Sequence, residues 1–154
     1  MKRKIVCILT AGLVLVWMAV IFVFSGQSGE ESSGLSAMIA QPITNALAAW
    51  WNVEDASALY VQVDGAVRGA AHFGEYTILG ILLMLAISRF GLKGLWLPWL
   101  IGTVYAVLDE WHQSYLPGRV CDPKDVLIDT CGVLCGVLLT KLLNKWRKKN
   151  VYHQ

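Results

Sequence analysis

Twenty consecutive residues without a charge, Ile5 to Phe24 (IVCILTAGLVLVWMAVIFVF), constrain this chain more than any other feature. As a helix they rise about 30 Å, the thickness of a bilayer's hydrocarbon core. Lys2, Arg3 and Lys4 stand directly before them, so the run reads as a transmembrane helix that starts in the cytoplasm. A cleaved secretory signal, with Gly26 and Ser28 as its small residues, is the alternative. The apolar core is longer than the roughly 7–15 residues of such a signal.

The rest of the chain is of the same kind. Of 154 residues, 56% are hydrophobic and 16% charged, a profile that excludes an ordinary soluble domain. The formal net charge of +2, with its basic residues gathered mainly at the two ends, gives no stripe for nucleic acid. Cys7, Cys131 and Cys135 fall in apolar runs and Cys121 stands alone in a loop, so neither a disulfide framework nor a zinc pattern follows. Three further uncharged runs, Tyr76–Ser88, Leu95–Leu108 and Thr130–Thr140, are too short to span by themselves. They reach spanning length only by extending into polar neighbours, and Pro98 fits the first turn of one of them. The resulting expectation is all-α: an integral membrane four-helix bundle over residues 1–150, with helices at about 5–24, 66–88, 95–116 and 125–143 and a short tail at 151–154.

Charge sets the topology. Arg89 and Lys93 lie between the second and third spans, and Lys141, Lys145, Arg147, Lys148 and Lys149 follow the fourth. Ser25 to Val67 contains no Lys or Arg, so the positive-inside rule places both termini in the cytoplasm of a cell-membrane protein. Arg119 and Lys124, in the loop before the fourth span, run against the rule. Within the first outer loop, Leu35, Met38, Ile39, Pro42, Ile43, Ala46, Leu47 and Trp50 recur at helical spacing. They predict an interfacial amphipathic helix, kinked or broken at Pro42, that either lies on the membrane as a partial lid or packs on the bundle.

This topology brings the polar ends of three spans to the outer side: Arg68, His72 and Glu75, then Asp109, Glu110 and Gln113, then Arg119, Asp125 and Asp129. At about 100° per residue, positions 68, 72 and 75 share one face, as do 125, 129, 132 and 136. A lone charge facing lipid costs several kcal/mol, so these groups are expected to turn inward and meet. Acids outnumber bases in the cluster, which leaves protonated carboxyls, hydrated carboxylates or a bound cation as ways to balance it. No metal-ligand signature such as H-E-x-x-H is present, and the sequence names no cofactor.

"RGAAHFGEY" (68–76), "DEWHQSYLPGR" (109–119) and "DVLIDTCGVLCG" (125–136), with "SGQS" (25–28) after the first helix, resemble the motifs of the VanZ-like family of small membrane proteins. The resemblance spans nearly the whole chain and attaches to Ser25, Gln27, Arg68, His72, Glu75, Tyr76, Asp109, Glu110, Gln113, Pro117, Arg119, Asp125, Gly132 and Gly136. Gly69 departs from the family's usual Lys and Asp129 from its usual Asn, the latter adding a carboxylate that needs a partner or a proton. The resemblance implies an envelope protein, since the family is named for a factor in teicoplanin resistance; it implies no mechanism.

Three readings of the cluster follow from its residues. As an enzyme of the outer leaflet, the chain would use His72, Glu75, Asp109 and Glu110 for acid–base work on a lipid-linked envelope substrate, held by Arg68, Gln113, Arg119, Asp125, Asp129, Ser25 and Gln27. As a binding protein or small transporter, it would recognise an anionic head group and work as a homo-oligomer. As a structural device, the charges would pin helix ends, with Gly132 and Gly136 as a small-xxx-small contact. In all three the bilayer is the constant partner.

Overall fold

In the computed structural model, which describes residues 2–92 and 94–151, the chain forms five helices: α1 (Lys2–Ser25), α2 (Gly29–Trp51), α3 (Ser57–Arg89), α4 (Trp96–Gln113) and α5 (Pro123–Val151). No strand occurs among the described residues. Lys93 and the expected tail after residue 151 lie outside them.

Three helices are long and apolar enough to cross a membrane: Lys4–Ser25, Ser57–Arg89 and Pro123–Arg147. The third expected span, α4, is not among them: it has only 18 residues, and Asp109, Glu110, His112 and Gln113 make its last turns polar. α3 is the hub and packs against each of the other four helices. Around it, Val14 and Ile21 of α1, Tyr76, Leu79 and Leu83 of α3, Ala106 of α4 and Val133 and Val137 of α5 form the core. Large apolar side chains such as Ile8, Leu15, Val23, Leu127 and Leu142 point outward, as the lipid-facing surface of a membrane protein requires.

The closest approach in the fold is that of α3 to α5, and glycines make it possible. A methyl group on Gly136 would strike the Thr77 carbonyl oxygen, one on Gly132 would lie 2.6 Å from the Phe73 oxygen, and one on Gly80 would strike the Val133 oxygen. The small-xxx-small stripe is therefore used within the chain, backbone against backbone.

Two helices begin earlier than the apolar runs indicate. α3 starts at Ser57, not at 66, because its first turns pack on α2 rather than on lipid; Ser36, Ala40 and Thr44 are the buried face of α2, and the Ser36 hydroxyl bonds Asp64 across that contact. α5 starts at Pro123, not at 125. The Asp122 side chain accepts from the Lys124 N–H, and Pro123 occupies the first helical position, where its missing N–H costs nothing. Conversely, α4 ends at Gln113, short of 116, and the chain turns through Gly118 at a positive φ of 72°. Nor does Pro42 break α2. The helix runs through it unbroken, with Pro42 on the exposed side and a Thr44 hydroxyl bond to the Ala40 carbonyl on the buried side.

Candidate functional site

α1 and α3 run antiparallel, with the Cys7 thiol against the Arg89 carbonyl at one end. At the other end the last turn of α1, the middle of α3, the last turns of α4 and the first turns of α5 come together. Nearly every polar residue singled out in the sequence sits here.

The centre of the site is Asp109, only 3% exposed. Its Oδ2 accepts from the Ser25 hydroxyl at 2.7 Å and from Gln113 Nε2 at 3.2 Å. The Gln113 amide relays outward, its Oε1 accepting from Arg119 at 2.8 Å, and the Arg119 Nε also donates to the Gln27 carbonyl at 3.4 Å. Asp109 and Gln113, one helical turn apart, thus connect the end of α1 to the α4–α5 loop. Beside them, Glu110 Oε2 accepts from the Asp122 N–H at 3.2 Å, holding the start of α5. His72 of α3 faces Asp129 of α5, with Nδ1 and Oδ1 3.2 Å apart, the one ion pair among the described residues. The carboxylate that departs from the family's usual Asn has found its partner.

An open cavity of about 180 Å³ lies against this network. Arg68, His72 and Glu75 of α3, Ser25 and Gln27 at the end of α1, Arg119, and Ser32, Leu35, Ser36 and Ile39 of α2 line it. α2 thus serves as one wall of the site as well as packing on α3. Neither Arg68 nor Arg119 has a carboxylate within ion-pairing distance among the described residues. Burial, and after it the neighbouring Arg68 charge, push the Arg119 guanidinium below its ordinary value. Two mutually repelling cations facing one cavity are the arrangement that an anion relieves.

Placement differs among the remaining expected residues. Glu75 lines the cavity, but its held group is the backbone: the Trp17 indole N–H donates to the Glu75 carbonyl at 2.9 Å. Asp125 stands apart, on a second groove with Arg68, Asp122 and Lys124. Gln27 takes part in hydrogen bonding through its carbonyl. Tyr76 is fully buried at the core. Trp17 and Tyr105 were not foreseen. The Tyr105 hydroxyl donates to the Met18 carbonyl at 2.6 Å, one turn before Asp109, and its ring lies near that of Tyr76. Both could have been read from phase: Trp17, Ile21 and Ser25 recur every four residues, as do Tyr105, Asp109 and Gln113. His112 stacks on Phe22 at 4.4 Å, which ties it to α1.

Apolar helices, three of them long enough to span a bilayer, around a buried polar network that borders an open cavity define the class: an α-helical membrane protein. The chain belongs to the VanZ/LLP1 family, whose model matches residues 10–144 and so takes in α2, α3 and α4 whole, most of α1 and α5, and every residue of the network. Searches for similar chains found no match among curated proteins and none among solved structures.

Proposed function

We propose that this VanZ-like membrane protein binds an anionic, lipid-linked envelope molecule at the outer leaflet of the cell membrane, in the cavity between α1, α2 and α3. The convergence of Arg68 and Arg119 on that cavity, without an ion-paired carboxylate among the described residues, carries the reading. A cavity of about 180 Å³ accommodates a phosphate- or carboxylate-sized head group and leaves the body of a larger ligand outside. Orientation is supported by charge: Lys4, Arg89, Lys141, Lys145 and Arg147 belong to the bundle end opposite the network. With that end in the cytoplasm the chain is multi-pass, both termini are inside, and the cavity opens outward. The exposed Leu35, Met38, Ile43, Trp50 and Trp51 of α2 then suit an interfacial placement.

A catalytic reading draws on one observation, that His72 lines the cavity while its Nδ1 faces Asp129. A carboxylate-oriented imidazole beside a bound head group is equipped for acid–base work, with Glu75 in the same wall. The resemblance to VanZ-like proteins extends the proposal to a role in teicoplanin-type resistance.

The test is binding of a lipid phosphate to the purified protein in nanodiscs. Arg68→Ala and Arg119→Ala should each weaken it by about tenfold or more, and both variants should lower teicoplanin tolerance at unchanged membrane abundance. Equal binding by wild type and the double variant ends the proposal, and turnover of the bound lipid that His72→Ala abolishes would establish the catalytic reading.

A further inference from the structure

Beside the cavity, three helices each contribute one metal-competent side chain: His72 from α3, which also lines the cavity, Glu110 from α4 and Asp129 from α5. One ligand atom of each lies within 4.8 Å of the other two. We propose that these three residues form a binding site for a divalent cation of the Zn²⁺ or Mn²⁺ kind.

The spacing fits. Donors held at about 2.0–2.1 Å around one ion stand about 3.3 Å from their neighbours, and His72 Nδ1 and Asp129 Oδ1 are 3.2 Å apart. A Glu110 oxygen lies within 4.8 Å of a ligand atom of each, so a side-chain rotation between staggered wells brings it into the set.

A second, independent observation concerns unsatisfied oxygens. Glu110 is 1% exposed and Asp129 fully buried, yet among the described residues Glu110 Oε1 and Asp129 Oδ2 have no hydrogen-bond partner, and neither has Oδ1 of Asp109. Each buried carboxylate oxygen without a donor is expensive in a low-dielectric interior. The nearest guanidinium does not relieve them, because Arg119 donates to Gln113 and to the Gln27 carbonyl. A cation placed between the Glu110 and Asp129 carboxylates and the His72 imidazole relieves their two oxygens.

Donor chemistry selects the ion. One imidazole nitrogen with carboxylate oxygens suits Zn²⁺ or Mn²⁺; Cu(I) wants thiolates, which this set lacks, and Ca²⁺ wants six or more oxygens. Since the ligands come from α3, α4 and α5, a bound ion would tie together three helices that the apolar core joins without directional bonds. The site stands independently of the anion-binding reading.

Full-length protein in nanodiscs, stripped with a chelator, should take up one equivalent of Mn²⁺ or Zn²⁺ alone, as read by elemental analysis and, for Mn²⁺, by its spin-resonance signal. Glu110→Gln and Asp129→Asn should each weaken uptake by about tenfold or more, while Arg68→Ala leaves it unchanged even where it abolishes lipid binding. Melting of the wild type should rise on loading, a readout that does not depend on any variant folding. Failure of the folded wild type to take up either ion, or undiminished uptake by the Glu110→Gln/Asp129→Asn double variant, overturns the assignment.

Discussion

The Ser25 hydroxyl and the Asp109 carboxylate meet at 2.7 Å across 84 positions of sequence, binding the last turn of α1 to the last turns of α4. Asp109 has a second donor in Gln113, so the serine is one of two groups that offset its burial. Ser25→Ala is expected to destabilise the protein by about 1–3 kcal/mol, because the other partner remains buried. Thermal unfolding in detergent measures it, and Asp109→Asn combined with Ser25→Ala should cost less than the sum of the two.

Gly136→Ala should be far more damaging than its size suggests. The added methyl would collide with the backbone carbonyl of Thr77, so α5 must move off α3. A loss of about 2 kcal/mol or more, read as reduced membrane abundance and lower melting temperature, is expected. Gly12→Ala is the control, since nothing lies within 4 Å of a methyl there. Because the stripe is used within the chain, the surviving Gly136→Ala protein should keep the oligomeric state of the wild type.

Arg119→Lys keeps the charge and loses the fork that reaches Gln113 Oε1 and the Gln27 carbonyl together. Its expected phenotype in the lipid phosphate assay is intermediate, about threefold weaker than wild type and stronger than Arg119→Ala. Identical affinities for the lysine and alanine variants would show that geometry alone, and not charge, is what the residue contributes.

The start of α2 should respond to acid. Ser28 and Glu31 form a capping box, and the Ser28 backbone N–H, then its hydroxyl, hold the Glu31 carboxyl below its ordinary value. A carboxyl lowered in the folded state contributes stability that is fully present above its unfolded value, near 4.5. That contribution is lost as pH falls through the lowered value. Amide exchange at Ser32 and the next residues should therefore quicken below about pH 4, and Glu31→Gln should remove this dependence.

Much of the site was legible because its chemistry is periodic. Arg68, His72 and Glu75, Asp109 and Gln113, and Asp125 and Asp129 sit at helical spacing beside runs that lipid must surround, and the cost of exposing them to hydrocarbon says that they turn inward. What periodicity does not carry is rotation and register between helices. That His72 meets Asp129, while Asp125 falls on a separate groove, depends on where Gly80, Gly132 and Gly136 let α3 and α5 touch. Element ends were missed for a related reason. Ser57–Val67 is too polar to read as a span, and its packing on the Ser36, Ala40 and Thr44 face of α2, with the Ser36–Asp64 bond, accounts for its being helical.

The glycine contact of α3 with α5 also decides how the cavity can change shape. Two backbones already touching leave no slack, so that side of the chamber is fixed. The opposite side is held more loosely: α2 leans on α3 through Ser36, Ala40 and Thr44, and the Gly29 N–H bonds the Pro117 carbonyl of the α4–α5 loop. An expected change of the cavity's shape on binding therefore falls to its α2 wall, where the contacts are side chain against side chain, and not to the α3–α5 seam.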